Sequence, residues 1–224
     1  MNRVIITGGT GAIGEALVRE FSRDCEVLFT YLTNNEKAAR VADKYQATGI
    51  RCDCRDSTDV NRVVADFGRC DLLVNNAGIS QYKLLQDITD DDFASMLAVN
   101  LSGAFFFSRA VWPGMLSRKS GVILNISSRW GIEGAAMECH YSAAKAGLIG
   151  LTKSLALEGA PSGIRVNCIA PGAVKSRMTE QFSDEELAEL SLTGRVGKPS
   201  DIAETARFLF NAVYITGEVL PIIC

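Results

Sequence analysis

Short apolar runs punctuate the chain at 4–6, 27–29, 49–52, 72–74, 122–126 and 165–169, most of them rich in Val, Ile and Leu. The segments between them, 15–22, 35–45, 57–67, 89–117 and 141–159, instead repeat apolar residues every three or four positions. The first pattern suits strands buried on both faces, the second suits amphipathic helices. Their alternation predicts an α/β fold, a doubly wound parallel sheet of about seven strands with helices on both faces. Right-handed crossovers then put any ligand just beyond the carboxyl ends of the strands. No linker, internal repeat or low-complexity stretch breaks the pattern, so one domain over residues 1–224 is expected. The acidic amphipathic stretch 179–192 follows a Pro-Gly turn, with Ser183 and Glu186 spaced as a capping box. It makes 176–196 a candidate mobile lid.

The first strand runs into Gly8-Gly9-Thr10-Gly11-Ala12-Ile13-Gly14, after which a helix begins. Gly9, Gly11 and Gly14 fit G-x-G-x-x-G in a strand-to-helix context, the fingerprint of a dinucleotide-binding Rossmann fold. A pyrophosphate must approach backbone N–H groups at a helix N-terminus, where a side chain would block it. When the cofactor is NAD, an Asp or Glu at the end of the second strand holds the ribose hydroxyls. Here that end reads Phe29-Thr30-Tyr31-Leu32-Thr33-Asn34-Asn35, with no carboxylate to repel a 2′-phosphate. NADP(H) is therefore expected over NAD(H), with Thr30, Thr33 and Asn34 as uncharged donors. No Arg occupies the loop or the strand end, although Lys37 and Arg40 follow in the next helix, so the partner of the 2′-phosphate stays unassigned.

Tyr141 and Lys145 stand at i and i+4, on one face of a helix. A phenol with a reference pKa near 10 is a poor acid or base at neutral pH, and a nearby ammonium favours its ionised form. Ser127-Ser128 ends the strand 122–126 and adds a hydroxyl at the ligand edge.

With these pieces in order, the chain resembles the short-chain dehydrogenase/reductase family over nearly its whole length. The matching pieces are Thr7-Gly8 through Gly14, Asp53, Asn75-Asn76-Ala77-Gly78, Asn100, Ser128, Tyr141 with Lys145, and Pro171-Gly172. The resemblance implies that Tyr141 is the general acid in reduction and that Ser128 hydrogen-bonds the substrate carbonyl. It implies that Lys145 holds the nicotinamide ribose and lowers the tyrosine pKa, and that Asn100 anchors a water in the proton relay. Hydride comes from the cofactor. The dinucleotide is assigned to Gly8, Thr10, Gly11, Ile13 and Gly14, to Thr30 and Tyr31, and to Asp53 at the adenine. Asn76, Ala77 and Gly78, together with Pro171, Gly172, Val174 and Ser176, complete that set, and Tyr141 and Lys145 contribute to it as well. Ser128, Arg129, Trp130 and Tyr141 are the expected substrate contacts.

Three departures from the family pattern stand out. Ala12 replaces a glycine of the loop, a change of one methyl. Pro221-Ile222-Ile223-Cys224 replaces the usual Asp-Gly-Gly ending, which bears on assembly. Arg129-Trp130 stands where small or apolar residues are usual.

Within the family the chain is similar to 3-oxoacyl-acyl-carrier-protein reductases, which implies a thioester-linked 3-oxoacyl substrate. The stretch 127–140 also looks like reductases of 5-aminopentanone-modified elongation factor P, where Glu133 or Glu138 could attract the amine. Another small-ketone or secondary-alcohol enzyme of the family is a third reading, and a non-catalytic dinucleotide-binding regulator is a fourth, against which the intact Asn100, Ser128, Tyr141 and Lys145 argue.

Composition narrows the remaining classes. Lys and Arg total 23 against 26 Asp and Glu, a net charge of -3 with no block of either sign, so no nucleic-acid partner is expected. No apolar stretch approaches the roughly 20 residues of a membrane helix. Seven cysteines without disulfide-like spacing and a start without a signal-peptide pattern point to the cytoplasm. Cys52-Asp53-Cys54 is half a metal site at most and lacks a second ligand pair, so no metal is expected. His140, beside Tyr141, should point away from it; Arg118 and Lys119 read as a solvated loop before they read as a carrier-protein grip. Asp90, Asp91 and Asp92 complement a helix dipole. Phe105, Phe106 and Phe107 lie on a helix the family uses for subunit packing, so a homodimer or homotetramer is expected.

Overall fold

Every second residue of the central strands faces a different layer, which is why their apolar runs are unbroken. The computed structural model describes residues 1–180 and 182–223, with the backbone alone at residue 177. Gln181 of the acidic stretch and Cys224 of the atypical ending lie outside the described residues. Strands β1 (Asn2–Ile6), β2 (Cys25–Tyr31), β3 (Thr48–Arg51), β4 (Leu72–Asn75), β5 (Gly121–Ile126), β6 (Ile164–Pro171) and β7 (Val219–Ile222) form one sheet. Its order is β3-β2-β1-β4-β5-β6-β7 and every neighbouring pair is parallel.

Val4 and Ile6 of β1, Leu72 and Val74 of β4, and Val122, Leu124 and Ile126 of β5 face one layer. That layer is built by α1 (Ala12–Phe21), α2 (Asn35–Tyr45) and α9 (Pro199–Asn211). Ile5, Leu73, Ile123 and Val166 face the other, built by α3 (Ser57–Phe67), α5 (Gly103–Arg118) and α7 (Cys139–Gly159). The doubly wound reading of the sequence is thus the observed architecture. Pro221 sits in β7, the outermost strand beside β6, where a missing N–H is tolerated.

The predicted helix 89–117 is α4 (Asp90–Leu97), a π-turn (Ala98–Ser102) and α5 in one run. The acidic run stands in the first turn as expected, and Thr89 and Asp92 add a capping box there. The run Asp90–Arg118 is 29 residues long and holds an 18-residue window of mean hydropathy 1.3, which by length and composition alone could cross a bilayer. Polar residues, among them the buried Asn100 and Ser108, interrupt its apolar ones, so the sequence has no unbroken apolar stretch of that size. Met96, Phe107, Val111 and Met115 of this run are buried. Arg118 ends α5 rather than lying in a loop, and its guanidinium donates to the Cys70 carbonyl at 2.6 Å. Between β6 and α9 lies the short helix α8 (Asp184–Glu189), whose N-cap Ser183 forms the predicted capping box with Glu186.

Candidate active site

The sheet order reverses between β1 and β4, so the loops that follow these two strands diverge and leave a crevice. Thr7 ties its walls together. Its hydroxyl accepts the N–H groups of Asn76 and Ala77, both at 2.9 Å, and the Asn76 amide donates to the Thr7 and Gly8 carbonyls. Gly8 has φ +69 and lies against Ala77. A Cβ on Gly14 would collide with the Gly8 carbonyl, and one on Gly9 would lie 2.5 Å from a Phe29 ring carbon. Gly11 caps α1 without a side chain, so the first-turn N–H groups of that helix stay open, as an incoming pyrophosphate requires.

Of the remaining predicted cofactor residues, Thr30 is buried and its carbonyl receives the Gly9 N–H at 2.9 Å. Asn34 spends its Oδ1 capping α2 at Lys37 N. Asp53 is gripped by Arg55 through Nε and Nη2, which holds its carboxyl below the usual range against the opposing effect of burial. Pro171 accepts the Arg129 N–H, Gly172 donates to Ile222, Val174 is buried, and Ser176 N donates to Thr179 Oγ1.

On the β5 side the predicted catalytic residues converge. The Lys145 ammonium donates to the carbonyl of Ile126, the last residue of β5, at 2.9 Å and lies 5.7 Å from the Tyr141 ring centroid. Ser127 Oγ donates to the Lys145 carbonyl at 2.9 Å, so strand end and helix are stitched from both sides. Ser128 Oγ accepts from Trp130 N at 3.1 Å. Asn100 lies in the π-turn, a distortion frequent at functional sites. Its amide donates to the carbonyls of Ile79 and Met96. Gly78 makes the convergence possible: a Cβ there would stand 2.7 Å from Asn100 Oδ1 and 3.5 Å from Lys145 Nζ.

The electrostatics differ from the sequence expectation. Burial pushes Tyr141 up to about 12, against the Ser128 hydrogen bond and helped by the Glu138 charge. Burial also pulls Lys145 down to about 8. Desolvation leads in both cases, and the ammonium is not among the influences on the tyrosine.

Arg129 does not present its charge to open space. Its Nε donates to Glu133 at 2.7 Å and its Nη1 to the Leu190 carbonyl just after α8 at 2.8 Å. Phe182 stacks edge-on against Tyr82, ring centroids 6.0 Å apart, giving the 176–196 stretch a second hold. Four residues not singled out for this role form a hydrogen-bonded chain that reaches the residue before Tyr141. Asp92 takes Lys83 Nζ at 2.6 Å and the Gln81 amide at 3.0 Å, and Gln81 Oε1 faces His140 Nε2 at 3.0 Å. The carboxylate fixes the Gln81 amide, so His140 must carry its proton on Nε2. Its Nδ1 is buried with no partner among the described residues. Only the position of His140 beside Tyr141 hinted at this; nothing in the sequence links Gln81 to it.

A switch-point crevice with an open helix N-terminus on one side and a Tyr-Ser-Lys cluster on the other defines a nicotinamide-dinucleotide oxidoreductase acting between CH–OH and C=O. The chain belongs to the short-chain dehydrogenase family, whose model, described as "short chain dehydrogenase", matches residues 2–187. It is 38% identical over 234 residues to the 3-oxoacyl-[acyl-carrier-protein] reductase FabG of Staphylococcus aureus, covering 97% of this chain and 95% of that one. The oxidoreductase YmfI of Bacillus subtilis is 35% identical over 236 residues, with 99% and 98% covered. Among solved structures, 3-oxoacyl-[acyl-carrier protein] reductase from Brucella melitensis superposes with TM-score 0.92 at 31% identity, covering 99% and 89%. ElxO with NADP bound superposes with TM-score 0.91 at 33% identity, covering 99% and 96%.

Proposed function

We propose that this chain is an NADP(H)-dependent carbonyl reductase acting on a ketone, foremost a 3-oxoacyl thioester presented by a carrier protein. The observation that carries the reading is the gathering of half-buried Tyr141, buried Ser128 and buried Lys145, one helical turn from the tyrosine, at the carboxyl end of β5. Similarity to FabG proteins at 36–38% identity supports the substrate class. The carboxylate-free end of β2 and the NADP bound to ElxO support the cofactor.

The dinucleotide, when bound, supplies the hydride. The glycine loop from Gly8 to Gly14, with Thr10, Gly11 and Ile13, would hold its pyrophosphate, with Tyr31 and Asp53 on the adenosine side. Asn76, Ala77, Gly78 and the 171–176 stretch would line its nicotinamide half. Ser128 holds the ketone oxygen and Tyr141 passes its phenolic proton to that oxygen as the alcohol forms. Lys145 stabilises the phenolate left behind, and Asn100 anchors the route by which the proton is replaced. Arg129 and Trp130 shape the entrance, and 176–196 acts as a lid on a single domain.

Free thiols at all described cysteines fit a cytoplasmic protein. Exposed Phe105, Leu116, Phe208, Val213 and Tyr214 fit a homodimer or homotetramer.

A second reading, reduction of 5-aminopentanone-modified elongation factor P, is favoured by Glu138. This half-buried carboxylate acts electrostatically on Tyr141 and would attract a substrate ammonium, whereas Glu133 is committed to Arg129. NADPH oxidation with acetoacetyl-carrier protein, run beside modified elongation factor P, separates the two. Turnover of the first supports the main reading, turnover of the second alone replaces it, and turnover of neither sinks both.

A further inference from the structure

A 2′-phosphate needs a cation near the carboxyl end of β2, and the cations supplied by the helices there are occupied or remote. Lys37 Nζ sits on Glu15 at 3.1 Å, Arg55 wraps Asp53, and Arg62 is shared between Asp59 and Asp66. Arg40 lies beyond the first turn of α2, with the exposed face of that helix.

Arg51 is different. It is the last residue of β3 and the register partner of Tyr31, the last residue of β2. Its Nε donates to the Leu32 carbonyl at 3.1 Å, which pins the guanidinium against the 32–34 turn. Among the described residues no salt bridge joins Arg51 to a carboxylate, although Asp53, held by Arg55, feels its charge, and neither Nη group has a protein acceptor, so the outer edge of the fork is free. The same turn leads into α2, whose first-turn N–H groups add a positive end to the same place. The Gly9 N–H to Thr30 bond keeps the glycine loop beside it.

We propose that Arg51, reaching across from β3, is the residue that binds the 2′-phosphate and selects NADP(H) over NAD(H). The proposal rests on the NADP(H) reading above. One N–H orients the guanidinium on the main chain while the others meet the phosphate oxygens, a division of labour that the planar fork allows and an ammonium does not. This explains why no basic residue is needed in the glycine loop or at the end of β2.

The test is a titration of the whole protein with NADPH and NADH, followed by fluorescence, for wild type, Arg51→Met and Arg51→Lys. Adenosine 2′,5′-bisphosphate serves as a probe that lacks the nicotinamide. The expected result is a loss of about tenfold to hundredfold in NADPH and bisphosphate affinity for Arg51→Met, with NADH affinity unchanged and part of the loss recovered in Arg51→Lys. The wild-type preference for NADPH should also shrink at high salt. If wild type prefers NADPH and Arg51→Met keeps that preference within about twofold, or loses both cofactors equally together with thermal stability, Arg51 is only a turn anchor; the cofactor reading would then survive without it. If wild type binds NADH as well as NADPH, the cofactor reading fails and the proposal with it.

Discussion

On the β1–β3 side of the crevice the walls are backbone, whereas on the β4–β6 side they are side chains that arrive from distant parts of the chain. The glycine loop presents N–H groups and is braced by Phe29 and the Thr7 hydroxyl. The substrate side is braced by Gln81 on His140, 59 residues apart, and by Arg129 on Leu190, 61 residues apart. A backbone wall tolerates almost no added atom but does not depend on which polar side chain is nearby. A side-chain wall can be rebuilt one residue at a time without disturbing the sheet. The difference teaches where a shared fold keeps its cofactor and where it changes its substrate.

The sharpest break of the comparison is Tyr141→Phe. It removes the acid from the side-chain wall and leaves the backbone wall whole, so kcat should fall by about 10²–10⁴-fold while NADPH affinity holds. Steady-state rates beside a cofactor titration check this, and near-normal turnover would remove Tyr141 from the chemistry.

Next in size is Gly14→Ala, which attacks the backbone wall alone. The new methyl meets the Gly8 carbonyl, with Gly9 Cα 2.9 Å away. A loss of about 1–3 kcal/mol in stability and a matching loss of NADPH affinity are expected from thermal melts and titration.

The pH dependence comes third. Lys145, with its pKa lowered to about 8, holds its ammonium below that value and loses it as pH rises through it. Reductive kcat/KM should therefore decline above pH 8, by about tenfold per pH unit once the neutral form dominates. A profile flat to pH 10 would mean that burial does not govern this lysine in the working enzyme.

The smallest effect belongs to Gln81→Leu, which cuts His140 from Asp92. KM for the ketone should rise about threefold to tenfold with NADPH affinity unchanged. A change in both would mean that the two walls are not independent.

The fold was largely legible because strands buried on both faces leave unbroken apolar runs and their crossover helices do not. Tyr141, Lys145, Ser128 and the glycine loop were legible because each is a local pattern at a strand or helix end. The π-turn at Ala98–Ser102 was not: one extra residue in a turn leaves the apolar repeat of a 29-residue helical run nearly intact. Nor was the direction of the tyrosine and lysine shifts, since spacing reports that a charge is near but not how much water the fold has removed.

The amino-acid order by itself determined the alternating layers, the glycine turn that only residues without a side chain can make, and the pairing of Tyr141 with Lys145 on one helical face. Tertiary structure alone decided what Gln81, His140, Arg129 and Arg51 touch. Their partners stand on other elements, and a hydrogen bond between residues far apart in the chain leaves no period or spacing in the sequence.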